Sequence, residues 1–327
     1  MLGEIILKIL FFTDTHIRGT NPKNRKDDFL VSLENKFKEI NDLITSLNVD
    51  YVIHGGDLFD RPDISISVVS RFTNILKKIK VPIYIVSGNH DIFGHNPQTL
   101  DRTMLGLLNS LDFLEVIPES TPIILTKDGI KVQLTGIPYS YDVDETPDKY
   151  ILKETNSSVD FSIHIVHGML LDRPFIKGIP YTLVDDIINT NADITLTGHY
   201  HAGFKTIEKD GKYFINPGSL VRVTNSLKEI ERIPQVCLIE LNDKINISMI
   251  ELISALPGDE ILDRTEIEKS TFKSERILEF KQTIDSALNF EKMDINDLLI
   301  EVALSENVDS KVKEEALRRI AQIQMKE

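Results

Sequence analysis

Hydrophobic and polar positions alternate along this chain in two rhythms, one of strands and one of helices. Residues 5–12 (Ile-Ile-Leu-Lys-Ile-Leu-Phe-Phe) form an apolar run that reads as a buried strand. Residues 27–48 shift to helical spacing: Phe29, Leu33, Phe37, Ile40, Leu43, Ile44 and Leu47 share one stripe, and Asp27 or Asp28 can cap its start. A short strand at 51–54, a helix over 64–79, a strand at 81–87 and a helix near 97–109 follow. This β-α-β-α-β alternation implies a parallel sheet with crossover helices.

After Leu111 the rhythm becomes strand-like. Strands are expected at 113–117, 122–126, 130–137, 161–167 and 193–197, with a helix near 180–189. Two hairpins follow, 203–208 with 212–216 around Lys209-Asp210-Gly211, and 235–241 with 245–251 around Asn242-Asp243. An α/β first half and a strand-rich second half suggest a β-sandwich flanked by helices. Leu256-Pro257-Gly258 marks a boundary, giving a domain over 1–255 and a helical tail over 256–327, with helices at 272–289, 294–305 and 309–325.

Composition narrows the class. The chain has 327 residues, 41% apolar and 27% charged, with no apolar run long enough to span a bilayer. Met1-Leu2-Gly3-Glu4 runs into the first strand without a basic n-region or cleavage site, so no signal peptide is expected. The single Cys237 rules out an intramolecular disulfide, and a reduced, cytoplasmic location is the default expectation. A net charge of −14 argues against binding nucleic acid through bulk positive charge, though divalent cations can neutralise phosphates locally.

Chemistry concentrates at strand ends. All eight histidines lie at or before His201. Five polar blocks each follow an apolar strand-like run: Asp14-Thr15-His16, Gly55-Gly56-Asp57, Gly88-Asn89-His90-Asp91, His167-Gly168 and Gly198-His199-Tyr200-His201. Carboxyl ends of strands in an open α/β sheet converge on one crevice, so these blocks bring seven ligands together: Asp14, His16, Asp57, Asn89, His167, His199 and His201. Two carboxylates, one amide and four imidazoles suit Mn²⁺, Fe or Zn²⁺ better than Ca²⁺ and exceed what one ion needs. A carboxylate such as Asp57 can bridge two ions about 3.5–4 Å apart. His54 reads as a supporting or core histidine, His164 as facing another layer, and His95 as solvent-exposed.

The order D-x-H, GD, GNHD, H, GHxH over residues 5–220 resembles the calcineurin-like metallophosphoesterases. The resemblance implies a four-layered α/β/β/α sandwich with a C-terminal helical extension and two divalent metal ions, Mn²⁺ first and Fe or Zn²⁺ next. One ion would take Asp14, His16, Asp57 and His201, the other Asp57, Asn89, His167 and His199. It further implies a metal-activated hydroxide attacking phosphorus in line, with His90 assisting the leaving oxygen and Asp91 orienting His90.

Within that family, Gly56-Asp57-Leu58-Phe59-Asp60 and Arg25-Lys26-Asp27-Asp28-Phe29 resemble the SbcD-type DNA repair exonuclease branch, and Asn216-Pro217-Gly218-Ser219 is also familiar there. This implies a phosphodiester hydrolase cutting DNA as exonuclease or endonuclease; the alternative is a phosphodiesterase or phosphatase for a small nucleotide or a phosphoprotein. Some nucleases of the branch carry a DNA-positioning histidine where Asp60 stands. Arg18, Arg25, Asp60, Arg61 and Arg222 are the candidate substrate-binding residues, with Lys23, Lys26 and Arg173 as further basic positions; solvated loop charges are the plainer alternative for each. The implied partners are DNA, an SbcC-like ABC-type ATPase docking on the tail, and a second copy as homodimer, with no membrane.

Overall fold

The computed structural model describes residues 5–265, 268 and 309–324. The chain divides into two compact units, with the division between Asp263 and Arg264. The first unit holds two six-stranded sheets. From edge to edge, one sheet runs Ile245–Glu251, Gln235–Leu241, Leu7–Phe12, Tyr51–His54, Ile83–Ile85, Glu115–Val116, and the other Phe204–Lys209, Lys212–Asn216, Ile194–Thr197, Phe161–Val166, Ile130–Ile137, Ile123–Lys127. In the first, β1 (Leu7–Phe12), β2 (Tyr51–His54), β3 (Ile83–Ile85) and β4 (Glu115–Val116) run parallel, as the βαβ alternation requires. In the second, β6 (Ile130–Ile137), β7 (Phe161–Val166), β10 (Ile194–Thr197) and β12 (Lys212–Asn216) are parallel. Antiparallel β5 (Ile123–Lys127) and β11 (Phe204–Lys209) form its edges.

Both faces of β1 are buried, which explains its unbroken hydrophobicity. Leu7, Ile9 and Phe11 meet Ile163, Ile165, Ile194, Leu196 and Ile215 of the second sheet in the inter-sheet core. Leu10 and Phe12 point the other way, onto helices α1 (Phe29–Ser46), α2 (Ile66–Leu76) and α3 (Met104–Ser110). The stripe predicted for α1 is buried at Phe29, Leu33, Phe37, Ile40 and Ile44, and the Asp28 carboxylate caps it by accepting from Val31 N at 3.1 Å. The helix expected near 97–109 is broken by Thr103 into a 3₁₀ turn (Pro97–Arg102) and α3, whose Gly106 N donates to Thr103 Oγ1.

Val166 and Phe214 on the outer face of the second sheet are covered by Val143, Tyr150, Leu170, Val184 and Ile187. Among the described residues this fourth layer consists of 3₁₀ turns and a two-stranded ribbon rather than long helices. The expected helix at 180–189 is instead β9 (Thr182–Leu183), paired in parallel with β8 (Leu170–Leu171), then a 3₁₀ turn at Val184–Ile187. The second hairpin, β13 (Gln235–Leu241) and β14 (Ile245–Glu251), returns to the first sheet, where β13 pairs antiparallel with β1. The first unit is thus a mixed α/β sandwich of two six-stranded sheets, the layered class expected from the sequence.

Residues 256–263 stay with the first unit. The short helix at Gly258–Ile261 accepts from Lys26 N through Ile261 O, and Asp263 N donates to Asn24 O. In the second unit Ser310–Gln324 is helical, and Glu315 there pairs with Arg318 and Arg319 at 2.8 Å each. The helices expected at 272–289 and 294–305 lie outside the described residues. Among the described residues no helix is long and apolar enough to cross a membrane.

Candidate metal centre

The five polar blocks meet where β1, β2, β3, β7 and β10 end. Beyond β1 the first loop runs beside the second: Asp14 N donates to Gly56 O, His16 N to Asp57 O and Ile17 N to Leu58 O at 2.9–3.1 Å. Asp14, His16, Asp57 and His199 all have positive φ, at 53°, 41°, 54° and 72°. Left-handed backbone at four non-glycine residues is costly, and residues held there cluster where side chains must be aimed. Thr15, between Asp14 and His16, turns away and donates through Oγ1 to Leu58 O at 2.9 Å. Close approach excludes any side chain at Gly88, where a Cβ would collide with the Asp57 carboxylate.

All seven expected ligands converge. His16 Nε2 and His201 Nε2 lie 3.0 Å apart. His16 Nε2 is 3.9 Å from Asp14 Oδ1 and 3.8 Å from Asp57 Oδ2, and His201 Nε2 is 3.6 Å from Asp14 Oδ1. On the other side of Asp57, Asn89 Oδ1 lies 2.9 Å from His199 Nδ1 and 3.3 Å from His167 Nε2, which is 3.4 Å from Asp57 Oδ2. Asp14–His16–His201, His16–Asp57–His90 and Asp57–His167–His199 each bring three donor atoms within 4.8 Å of one another. Two adjacent clusters with Asp57 common to both sides match the donor set of a dinuclear centre, so these residues fit a pair of divalent ions.

The electrostatics agree. Asp14, Asp57, His16 and His167 are almost wholly buried. Burial raises the Asp14 carboxyl and pushes His16 well below its ordinary value. His199 falls to about 3, through burial and then the His167 charge. Burial alone would raise Asp57, but His167 outweighs it and keeps the carboxylate ionised. Burial alone would lower His167, yet Asp57 lifts it to about 9. Asp57 and His167 thus favour each other's charged forms, while burial favours the neutral forms of His16 and His199, the form of imidazole that binds metal.

His90 is half-buried beside these clusters, its ring 4.8 Å from that of His16. Its Nδ1 lies 2.9 Å from the Asp60 carbonyl oxygen, which can only accept, so Nδ1 carries a proton and Nε2 is the nitrogen left for chemistry. The expectation that Asp91 orients His90 is corrected here. Asp91 is fully buried and its carboxylate accepts from Leu58 N, Phe59 N and Gly88 N at 3.2, 2.9 and 3.0 Å, tying the second loop to the third. Burial and then Asp57 push its carboxyl up to about 7.

The expected substrate-binding residues divide. Arg61, Lys23 and Lys26 are exposed, as is Arg173 with 73% of its side chain accessible. Arg18 Nη1 lies 3.3 Å from Asp60 Oδ1. Arg25 and Arg222 are buried and engaged in the fold, which corrects their expected place at the substrate. Arg25 pairs with Asp27 at 2.6 Å and donates to Arg222 O, while Arg222 donates to Leu256 O and Arg232 O.

They belong to a network that sequence reasoning missed. Four successive carbonyls each accept from a cation: Ser219 O and Val221 O from Arg232, Leu220 O from Lys36 and Arg222 O from Arg25. The loop so held supports the first motif, with Ser219 Oγ donating to Asp14 O at 2.8 Å and Leu220 N to Thr13 O at 3.0 Å. A lysine on the apolar stripe of α1 was the available signal. His54 belongs to a second support: its Nδ1 accepts from Gly56 N at 3.1 Å and its Nε2 lies 3.2 Å from Thr15 Oγ1. His164 is held between Thr135 and the Lys149 carbonyl. Tyr139, also unforeseen, packs its ring 5.3 Å from those of exposed His95 and of His199.

The calcineurin-like phosphoesterase family matches residues 7–203. The double-strand break repair protein mre-11 of Caenorhabditis elegans is 24% identical over 287 residues, covering 69% of this chain and 38% of that protein. The DNA double-strand break repair protein Mre11 of Methanosarcina mazei is 32% identical over 246 residues, covering 68% of this chain and 35% of that protein. The chain thus spans little more than a third of the length of these relatives. Among solved structures, calcineurin-like phosphoesterase YfkN from Bacillus subtilis aligns with a TM-score of 0.47 and 15% identity, over 88% of this chain and 99% of that one.

Proposed function

Because the chain belongs to the calcineurin-like phosphoesterase family, a family of hydrolases, we propose that it hydrolyses phosphodiester bonds in DNA as an SbcD-type nuclease. The observation that carries hydrolysis is the convergence of Asp14, His16, Asp57, Asn89, His167, His199 and His201 on one centre. DNA as the substrate rests on similarity to the two double-strand break repair proteins and on the motif Gly56-Asp57-Leu58-Phe59-Asp60.

Asp14, His16, Asp57 and His201 would hold one divalent ion and Asp57, Asn89, His167 and His199 the other, with Mn²⁺ the first choice. Such ions supply Lewis acidity, which neutralises phosphoryl charge and makes water nucleophilic near neutral pH. The chain's own residues do the rest. The Asp60 carbonyl keeps the His90 proton on Nδ1, so Nε2 faces the reacting group and, when protonated, delivers its proton to the departing oxygen. Asp91 locks the loops bearing Asp57 and Asn89 in register. Arg61 and Arg173 offer exposed positive charge for a phosphate backbone. The segment 256–327 is proposed as the dock for an SbcC-like ATPase.

The test is cleavage of linear duplex and single-stranded DNA with Mn²⁺, beside p-nitrophenyl phosphate esters and cyclic nucleotides. DNA should be cut, and His90→Ala should abolish turnover while Mn²⁺ still binds. Hydrolysis of the small esters with intact DNA would refute the nuclease assignment and favour a small-nucleotide phosphodiesterase.

A further inference from the structure

Asp60 stands between three groups of the centre without belonging to its donor set. Its carbonyl oxygen takes His90 Nδ1, its carboxylate lies 3.3 Å from Arg18 Nη1, and Oδ1 is 3.9 Å from His16 Nδ1. The His16 ring is buried, and its two nitrogens have different surroundings. Nε2 looks into the cluster of Asp14, Asp57 and His201, whereas Nδ1 is buried with no hydrogen-bond partner. An unpartnered buried ring nitrogen is expensive, and a ligating imidazole normally donates its second N–H to a carboxylate or carbonyl.

We propose that Asp60 is the positioning residue for His16: its carboxylate accepts the Nδ1 proton, fixing the tautomer in which Nε2 is free to ligate, while Arg18 steadies that carboxylate from the solvent side. At 3.9 Å the bond is not made in the protein alone. Asp60 is 17% exposed and sits on a loop, so a small side-chain rotation closes the gap. The same residue then sets two imidazoles, His16 through its carboxylate and His90 through its carbonyl. Arg18 and Asp60, both expected at the substrate, here face each other and the centre. The inference rests on the reading of His16 as a metal ligand.

The test is Mn²⁺ titration by calorimetry on the full chain and on Asp60→Leu, Asp60→Asn and Arg18→Gln. Wild type should bind two ions. Asp60→Leu, of similar size but with no acceptor, should weaken one of the two by about 10–100-fold and leave the other unchanged. Asp60→Asn keeps an oxygen acceptor and should fall between, and Arg18→Gln should lose less than Asp60→Leu. In the Zn²⁺-loaded protein, the His16 Nδ1 proton should be visible by ¹⁵N-histidine NMR in wild type and Asp60→Asn and exchange away in Asp60→Leu. Two sites of wild-type affinity in Asp60→Leu, or equal losses in Asp60→Leu and Arg18→Gln, would overturn the inference alone. A wild type that binds no ion pair would overturn the metal centre and the inference together.

Discussion

His54→Asn separates structural support from ligation at this centre. His54 is 1% exposed, accepts from Gly56 N, contacts Thr15 Oγ1 and packs edge-on against Phe12 at 5.1 Å. Burial lowers it from 6.5 to about 3. Between those values the unfolded chain takes up a proton that the native protein refuses. The His54 contribution to stability is therefore complete above about pH 6.5 and is lost as pH falls toward 3. Between pH 7.5 and pH 5.5, which stays above the pI of about 5.1, the loss is about 1.4 kcal/mol from that single proton. Asparagine can still accept from Gly56 N but reaches neither Thr15 nor Phe12, costing about 1–3 kcal/mol at pH 7.5. Urea unfolding in EDTA at the two pH values measures both effects. The variant should be less stable than wild type at pH 7.5, with a fall to pH 5.5 that is smaller by about 1.4 kcal/mol. His16 and His199 titrate with the same sign in both proteins and cancel in the difference. Equal pH dependence in wild type and variant would refute the argument.

Three further outcomes follow from the same geometry. Asp91→Asn replaces one acceptor oxygen with a donor facing the amides of Leu58, Phe59 and Gly88, and should cost about 1–3 kcal/mol by denaturant unfolding. Gly88→Ala drives a Cβ into the Asp57 carboxylate, so it should lose Mn²⁺ binding by calorimetry and about 1–3 kcal/mol of stability; normal binding would mean that the third loop is not packed as described. Mn²⁺ binding at pH 7 should release a proton, since His167 sits near 9 in the protein alone and must be neutral to ligate. Calorimetry in buffers of different ionisation enthalpy reads that release directly, and a null value would exclude a protonated His167.

The centre was legible in the sequence because of where its polar residues fall. A ligand that directly follows a run such as Ile83–Val86 has no plausible role in the core, so polarity at that position already implies a partner. Five such positions in order point to one side of the fold because parallel strands of a sheet end together, whereas the meeting of β1–β3 with β7 and β10, which lie in different sheets, depends on how the two sheets stack. Other features were settled by contacts distant in sequence. Thr182–Leu183 has helical-looking neighbours, yet pairing with Leu170–Leu171 makes it a strand. The hairpin of β13 and β14 carries no local sign that it returns to β1.

Asp91 shows the limit of sequence adjacency. It follows His90 directly, but at a tight turn after a strand neighbouring side chains diverge, and this one serves three backbone amides. The basic residues show a deeper limit. Arg25 and Arg222 look like phosphate-binding charge in a protein of net charge −14, yet they donate to backbone carbonyls, as do Arg232 and Lys36, and the carbonyls taken by Arg25, Arg232 and Lys36 lie in the loop that backs Asp14. A cation can satisfy itself on a phosphate or on a carbonyl, and composition does not distinguish them. What distinguishes them is whether the loop has lone pairs that no N–H of its own can reach. Residues 219–222 present four, and the side chains that satisfy them hold the loop whose Ser219 Oγ donates to Asp14 O.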